Sequence, residues 1–218
     1  MKTLNQKLLF SMLLAAAKDI RASVPLLNDL DGQTGDGDHG TTMMRVSQCI
    51  ENTLKNSSGE DWHKTIDDMG WAIMSQDGGS AGMLIGNLFC GLATGLVEPE
   101  LNPKQTAAAF RHGLDKLAYF SGAKLGDKTM LDALTPAIEA MEQLALDSED
   151  IAALFLSAAK ASQSGAEKTK AMKPARGRAK NMGEKAIGFV DPGATSMSIL
   201  FNSFSNHINA TNKEKCYG

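Results

Sequence analysis

The sequence predicts an all-α protein, a bundle or barrel of about eight antiparallel helices with its chemistry at one rim. Three observations carry this. Apolar residues recur at helical spacing along nearly the whole chain, and runs with strand periodicity are scarce. The segments between the periodic stretches include four glycine-rich connections, 28–42, 77–82, 122–129 and 171–193. At 218 residues the chain is long enough for one sizeable core, and it has no internal repeat, low-complexity segment or long linker, so one domain over 1–218 is expected.

The first helix is placed at 3–24. Leu9, Leu13, Ala16 and Ile20 form a stripe that Leu8, Met12 and Val24 widen. The same stretch resembles a secretory leader, with Lys2, Lys7 and Ala15–Ala17, but its periodicity runs through the candidate cleavage site to Pro25. Helices follow at 40–55 and 60–76, the second opened by "SGED" with Ser58 as cap. The next are 82–97 and 103–121, the latter with Pro103 at its first position. A helix at 128–145 contains Pro136, which should kink or split it. "DSED" at 147–150, with Asp147 or Ser148 as cap, opens 149–169, and the last helix is 193–209.

Composition excludes several classes. A net charge of −3 with dispersed basic residues is no nucleic-acid footprint. No apolar run reaches the ~18 residues of a membrane span. Cys49, Cys90 and Cys216 are widely spaced and fit neither a disulfide framework nor a zinc site, which suits a reducing cytoplasm.

The glycine-rich connections hold the chemistry. "DLDGQTGDGDHGTT" at 29–42 contains Asp29, Asp31, Asp36 and Asp38. At ~100° per residue a helix would splay Asp36 and Asp38 apart, whereas Gly35, Gly37 and Gly40 permit a tight loop that turns them inward. Three carboxylates without thiolates favour a hard cation, Mg²⁺ or Ca²⁺. A calcium-binding EF-hand fails on register, because the twelfth positions counted from Asp29, Asp31 and Asp36 are Gly40, Thr42 and Ser47 instead of glutamate. The alternative is a set of turn-forming aspartates, and Asp29 has no further assignment.

"HGTTMMR" then opens a helix, so backbone N–H groups and the hydroxyls of Thr41 and Thr42 can receive an anion; the plainer reading is a helix start capped by Asp38. "DGGSAG" at 77–82 repeats the arrangement, with Gly78, Gly79 and Ser80. Two anion sites beside a hard-metal site suit a Mg²⁺-bound nucleoside polyphosphate, and no P-loop motif is present. "GDKTM" starts a helix with Asp127 as its expected cap, and Met130 packs either on an adenine or in the core. The long loop that begins "PARGRAK" is either a lid delivering Arg176 and Arg178 to phosphate or a solvated segment. Asp191-Pro192-Gly193 reads as a cap with proline at the first helical position. For His39 the favoured reading is a hydrogen bond to phosphate or a neighbouring carboxylate. His63, His112 and His207 read as structural.

"GDGDHGTTMMR", "GGSAG", "GDKTMLDALTPA" and "GRAKNMGEKAIGFVDPGATS" together resemble the nucleotide-binding DhaL subunit of dihydroxyacetone kinases, over residues 31–196. The resemblance implies a barrel of eight antiparallel helices binding ADP or ATP at one end through two Mg²⁺ ions. It implies Asp31, Asp36 and Asp38 as metal ligands. It places nucleotide contacts at His39, Gly40, Thr41, Thr42, Gly79, Ser80, Ala81, Gly122, Met130, Arg178, Asp191, Pro192 and Gly193. Arg178 is the single candidate for direct phosphoryl stabilisation. The resemblance further implies that a γ-phosphoryl group passes to a small ketose, dihydroxyacetone or a four-carbon sugar such as erythrulose, held on a separate DhaK-type subunit. ADP then either stays as a coenzyme recharged by a DhaM-type phosphotransferase protein, the favoured mode, or exchanges with ATP. A non-enzymatic nucleotide sensor that binds a transcription regulator is the alternative class.

Overall fold

The computed structural model describes the backbone of residues 1–217 and the side chains of residues 1–212. Among these residues nine α-helices follow one another: α1 Gln6–Ala22, α2 Val24–Gly32, α3 His39–Asn56, α4 Trp62–Met74, α5 Gly79–Ala93, α6 Pro103–Ser121, α7 Leu131–Leu144, α8 Ile151–Lys168 and α9 Pro192–Tyr217. Two-residue strands, β1 Leu4–Asn5 and β2 Glu100–Leu101, pair antiparallel with Leu4 opposite Leu101. Cys49 and Cys90 are buried free thiols, and Cys216 lies outside the described side chains. No described helix is long and apolar enough to cross a membrane.

The helices form a closed ring. α1 packs on α3, α3 on α4, and so on through α5, α6, α7 and α8 to α9, which returns to α1; α2 lies against α3 and α9. Successive ring members run up and down, so the N-termini of α3, α5, α7 and α9 emerge at one end. These four helices follow the four glycine-rich connections. A continuous apolar core fills the ring. At its centre Phe110 meets Phe155 edge-on at 5.5 Å between centroids, and Phe201 and Phe204 join them, the arrangement aromatic quadrupoles favour.

Several helix boundaries differ from those expected. The predicted helix 3–24 begins at Gln6, where the Asn5 side chain accepts the Leu8 N–H at 3.0 Å. It breaks at Ser23, after which Pro25 starts a second helix instead of ending the first, because proline is tolerated where N–H groups have no helical partner. This α2 covers Asp29 and Asp31, which were expected in a loop. Asp61 caps α4 by accepting the Lys64 N–H, and Asp150 caps α8 by accepting the Ala152 N–H. Ser58 and Ser148 instead accept N–H groups of Glu60 and Asp150, shaping the turns that lead into those caps. Pro103 opens α6 as expected, within a reciprocal Asn102–Gln105 capping box.

Pro136 does not split α7. It has no N–H for the Asp132 carbonyl four residues back, and Gly165 of α8 lies against that carbonyl so closely that a Cβ there would overlap it. The missing hydrogen bond thus becomes a place where α7 and α8 approach closely.

Candidate functional site

Aspartate geometry begins with Asp31 in the last turn of α2. Its Oδ2 accepts the backbone N–H groups of Asp38 at 2.9 Å and His39 at 3.2 Å. Asp31 therefore tethers the start of α3, and Asp38, expected as the side-chain cap, makes no capping bond and is left free to turn inward. Gly37 takes φ +80° in the connecting turn, a region closed to most side chains. One carboxylate oxygen from each of Asp31, Asp36 and Asp38 lies within 4.8 Å of the others. Asp29 is exposed on α2.

Charge crowding follows. Burial pushes the Asp38 carboxyl above the ordinary carboxylate range, and Asp36 and Asp31 add to the effect. One guanidinium nitrogen of Arg178 lies 2.9 Å from Asp36 Oδ2 and offsets part of the repulsion. Three hard oxygen donors at this separation suit a divalent cation of the Mg²⁺ class, whose remaining positions are taken by water or phosphate.

The rest of the site lies around a cleft of about 790 Å³ at the rim where the four N-termini emerge. Asp31, Asp36, Asp38, His39 and Thr42 line it from α2 and α3, and Gly79, Ser80 and Ala81 from α5. Met130, Asp191, Pro192 and Gly193 line it from the starts of α7 and α9, and Arg178 from the long loop. A helix start favours negative charge through its dipole and its unpaired N–H groups. At α5 the N–H groups of Gly79, Ser80 and Ala81 have no partner among the described residues, whereas Asp31 and Asn28, Thr129, and Asp191 take N–H groups at the starts of α3, α7 and α9. The α5 start, facing a carboxylate cluster that calls for a cation, can hold a metal-bound polyphosphate.

Three of the expected contacts stand off this wall. Gly40 faces α2, where a Cβ would overlap the Val24 carbonyl and lie 2.6 Å from Asn28 Oδ1. The Thr41 N–H donates to that same Asn28 oxygen at 3.0 Å, and Thr41 is exposed. Gly122 ends α6 in the left-handed region, φ +57°, and its carbonyl accepts from Arg176 at 2.6 Å. Helical geometry explains the first two, since residues 39–42 point in four directions around one turn. Asp127 is likewise not the cap of α7. Asp132, inside the helix, instead ties down the loop ahead of it, accepting the N–H groups of Gly126 at 2.5 Å and Thr129 at 2.8 Å. Asp191 caps α9 as expected, accepting the Ala194 N–H at 2.7 Å.

His39 differs from its expected role. Its Nε2 sits 2.6 Å from Ser196 Oγ inside the ring, and burial lowers its pKa to about 4. His112 meets Thr94, His207 meets Ser11 and His63 is exposed. Asp191 shifts oppositely: burial raises its carboxyl to about 7. Because the native His39 pKa lies below its unfolded value, the stability it contributes is complete above pH 6.5 and falls as pH drops toward 4. Asp191, with a raised native pKa, gains over the same interval and masks the trend in the wild type. The expected result is therefore a difference. Relative to wild type, His39→Asn becomes more stable by about 3 kcal/mol between pH 7.5 and 4.5. Urea unfolding at the two pH values checks this, and a constant difference would contradict it.

Arg45, Asp77 and Phe120 also line the cleft and were not singled out from sequence. Arg45 donates to the Asp77 carbonyl, pinning the turn before α5. A signal for Arg45 existed, since it follows Thr42 by three residues and shares its helix face. Phe120, at the end of α6, had none. Lys128, inside "GDKTM", is buried beneath the same wall.

Comparison with known proteins gives the family. The ADP-binding subunit DhaL of the PEP-dependent dihydroxyacetone kinase of Escherichia coli (strain K12) is 31% identical over 175 residues, 80% of this chain and 83% of that protein. The corresponding subunit of kinase 1 of Listeria innocua is 29% identical over 184 residues, 84% and 87% of the two chains. A D-erythrulose kinase of Mycolicibacterium smegmatis is 32% identical, but the match covers only 32% of that longer protein. In structure, the dihydroxyacetone kinase of C. freundii superposes with a TM-score of 0.74 at 24% identity, over 94% of this chain and 35% of that one. The family model described as the DAK2 domain matches residues 33–206, from just after Asp31 to midway along α9. With that match and the DhaL relatives spanning most of its length, the chain belongs to the DAK2-domain family of DhaL-type subunits.

Proposed function

We propose that this chain, folded as one domain, is the ADP-binding subunit of a dihydroxyacetone kinase, a phosphotransferase that works with a ketose-binding partner subunit. The observation that carries this is the meeting of a three-carboxylate cluster with four helix N-termini in one cleft. Asp31, Asp36 and Asp38 would hold two Mg²⁺ ions, which when bound offset the charge of the phosphate oxygens. His39, Thr42, Gly79, Ser80 and Ala81 line the polyphosphate side of the cleft. Met130, Pro192 and Gly193 form the wall available to the base. Arg178 stabilises the phosphoryl group in transfer. The acceptor sugar and its hydroxyl's base belong to a DhaK-type partner.

Similarity to subunits named PEP-dependent supports the phosphoenolpyruvate-driven mode, with ADP retained and recharged by a DhaM-type protein. The relatives that this chain nearly spans are subunits named PEP-dependent, whereas it spans about a third of the erythrulose kinases. Those relatives keep a four-carbon ketose as an alternative acceptor, a choice that rests with the partner.

Mass spectrometry of nucleotide released from the purified protein, followed by reconstitution with a DhaK-type subunit, tests the reading. Retained ADP is expected, with dihydroxyacetone phosphorylation that requires phosphoenolpyruvate and its carrier proteins. Transfer from ATP alone would replace the donor, and no transfer from either donor would overturn the kinase reading.

A further inference from the structure

Lys128 is the one described non-glycine residue with positive φ, at +61°. A left-handed backbone is costly for a long side chain, and it persists only where the surroundings hold it. The side chain is 2% exposed, and its ammonium donates to two backbone carbonyls, Thr169 at 2.6 Å and Phe189 at 2.5 Å. Those carbonyls stand at the two ends of the 170–190 loop. The ends are also tied to each other, by the Gly188 N–H to the Lys170 carbonyl at 2.8 Å and the Asp191 N–H to Thr169 Oγ1 at 2.9 Å. The middle of the loop rests on the segment that carries Lys128, since the Ala175 N–H donates to the Asp127 carbonyl and Arg176 to the Gly122 carbonyl. Beyond these anchors the loop bears Arg178, 2.9 Å from Asp36.

We propose that Lys128 is a positioning residue: its buried ammonium clamps both ends of the 170–190 loop and thereby holds Arg178 over the phosphate end of the cleft. This rests on the nucleotide reading above. Lysine suits the task because three N–H donors on a flexible stem can serve two carbonyls that approach from different elements. Burial lowers the lysine's pKa, and Asp191 and Asp132 offset part of that shift. A glycine would take the same backbone conformation without strain, so the retained side chain marks a need for the ammonium.

Lys128→Met, Arg178→Ala and the double variant test the clamp, using hydrogen exchange without ligand and calorimetric ADP titration with Mg²⁺. In Lys128→Met, amides of 172–188 should exchange at least tenfold faster while those of α3 to α6 are unchanged. ADP affinity should fall about as far as in Arg178→Ala, roughly tenfold, and the double variant should lose less than twofold more than Arg178→Ala alone. Additive losses, or unchanged loop exchange, would overturn the clamp. Should Lys128→Met not fold, Lys128→Gln, which keeps an amide donor, takes its place with the same criteria. Failure of both to fold would also overturn the proposal, making Lys128 a determinant of the whole fold. Wild type that binds no ADP would instead defeat the nucleotide reading, and the exchange data would still decide the clamp.

Discussion

Asp38→Asn is expected to lower ADP affinity in the presence of Mg²⁺ by at least about a hundredfold, while helix content and melting temperature hold or rise slightly. Removing even an outer partner of a metal ligand typically costs 10–100-fold in affinity, so loss of a direct carboxylate sets a higher floor. Stability should not suffer, because the Asp38 side chain makes no capping bond and its charge is crowded by Asp31 and Asp36. Asp36→Asn should behave alike in binding. It also gives up the pair with Arg178, but both partners are solvent-accessible, so that pair is worth at most about 1 kcal/mol. Calorimetric ADP titrations with Mg²⁺ and with chelator make the check. Wild type and variants should converge once the metal is removed. Equal affinity with Mg²⁺ present would take the carboxylates out of metal binding.

Gly40→Ala carries the largest expected stability effect, a loss of about 3 kcal/mol, although alanine is the better helix former by about 1 kcal/mol. The added Cβ would strike the Val24 carbonyl and the Asn28 side chain, and backbone gives way at greater cost than a side-chain end. Relief requires α2 to move off α3, and α2 carries Asp31, so ADP affinity should fall as well. Thr41→Ala, one residue on at an exposed position, should change stability far less. Urea unfolding of the two variants separates them. A stabilised Gly40→Ala would show that the two helices are not in close contact.

The same residue shows how far local pattern could be read. "HGTT" was legible as a helix start beside a metal turn, because glycine, aspartate and hydroxyl residues constrain their own backbone. Its four side chains were not separable, because which of them face the cleft depends on the rotation of α3 against α2. Arg45 and Thr42 were accessible through their spacing of three. Asp132 was harder, since its carboxylate folds back to bind N–H groups of Gly126 and Thr129 ahead of its own helix. Lys128 could not be assigned at all, since both of its acceptors come from segments more than forty residues away.

Periodicity and the punctuation of glycine, proline and capping residues by themselves determined an all-helical chain, its eight main helices and the order of its four chemical loops. They sufficed because these are properties of a residue and its neighbours within a turn or two. Tertiary structure decided what meets at the rim. Closure of α9 onto α1 sets His39 against Ser196, 157 residues apart. The up-and-down ring puts every second helix start at one end, so carboxylates and backbone N–H groups distant in sequence share a single cleft. Partners of this kind are selected by packing of the whole ring, and no local stretch specifies them.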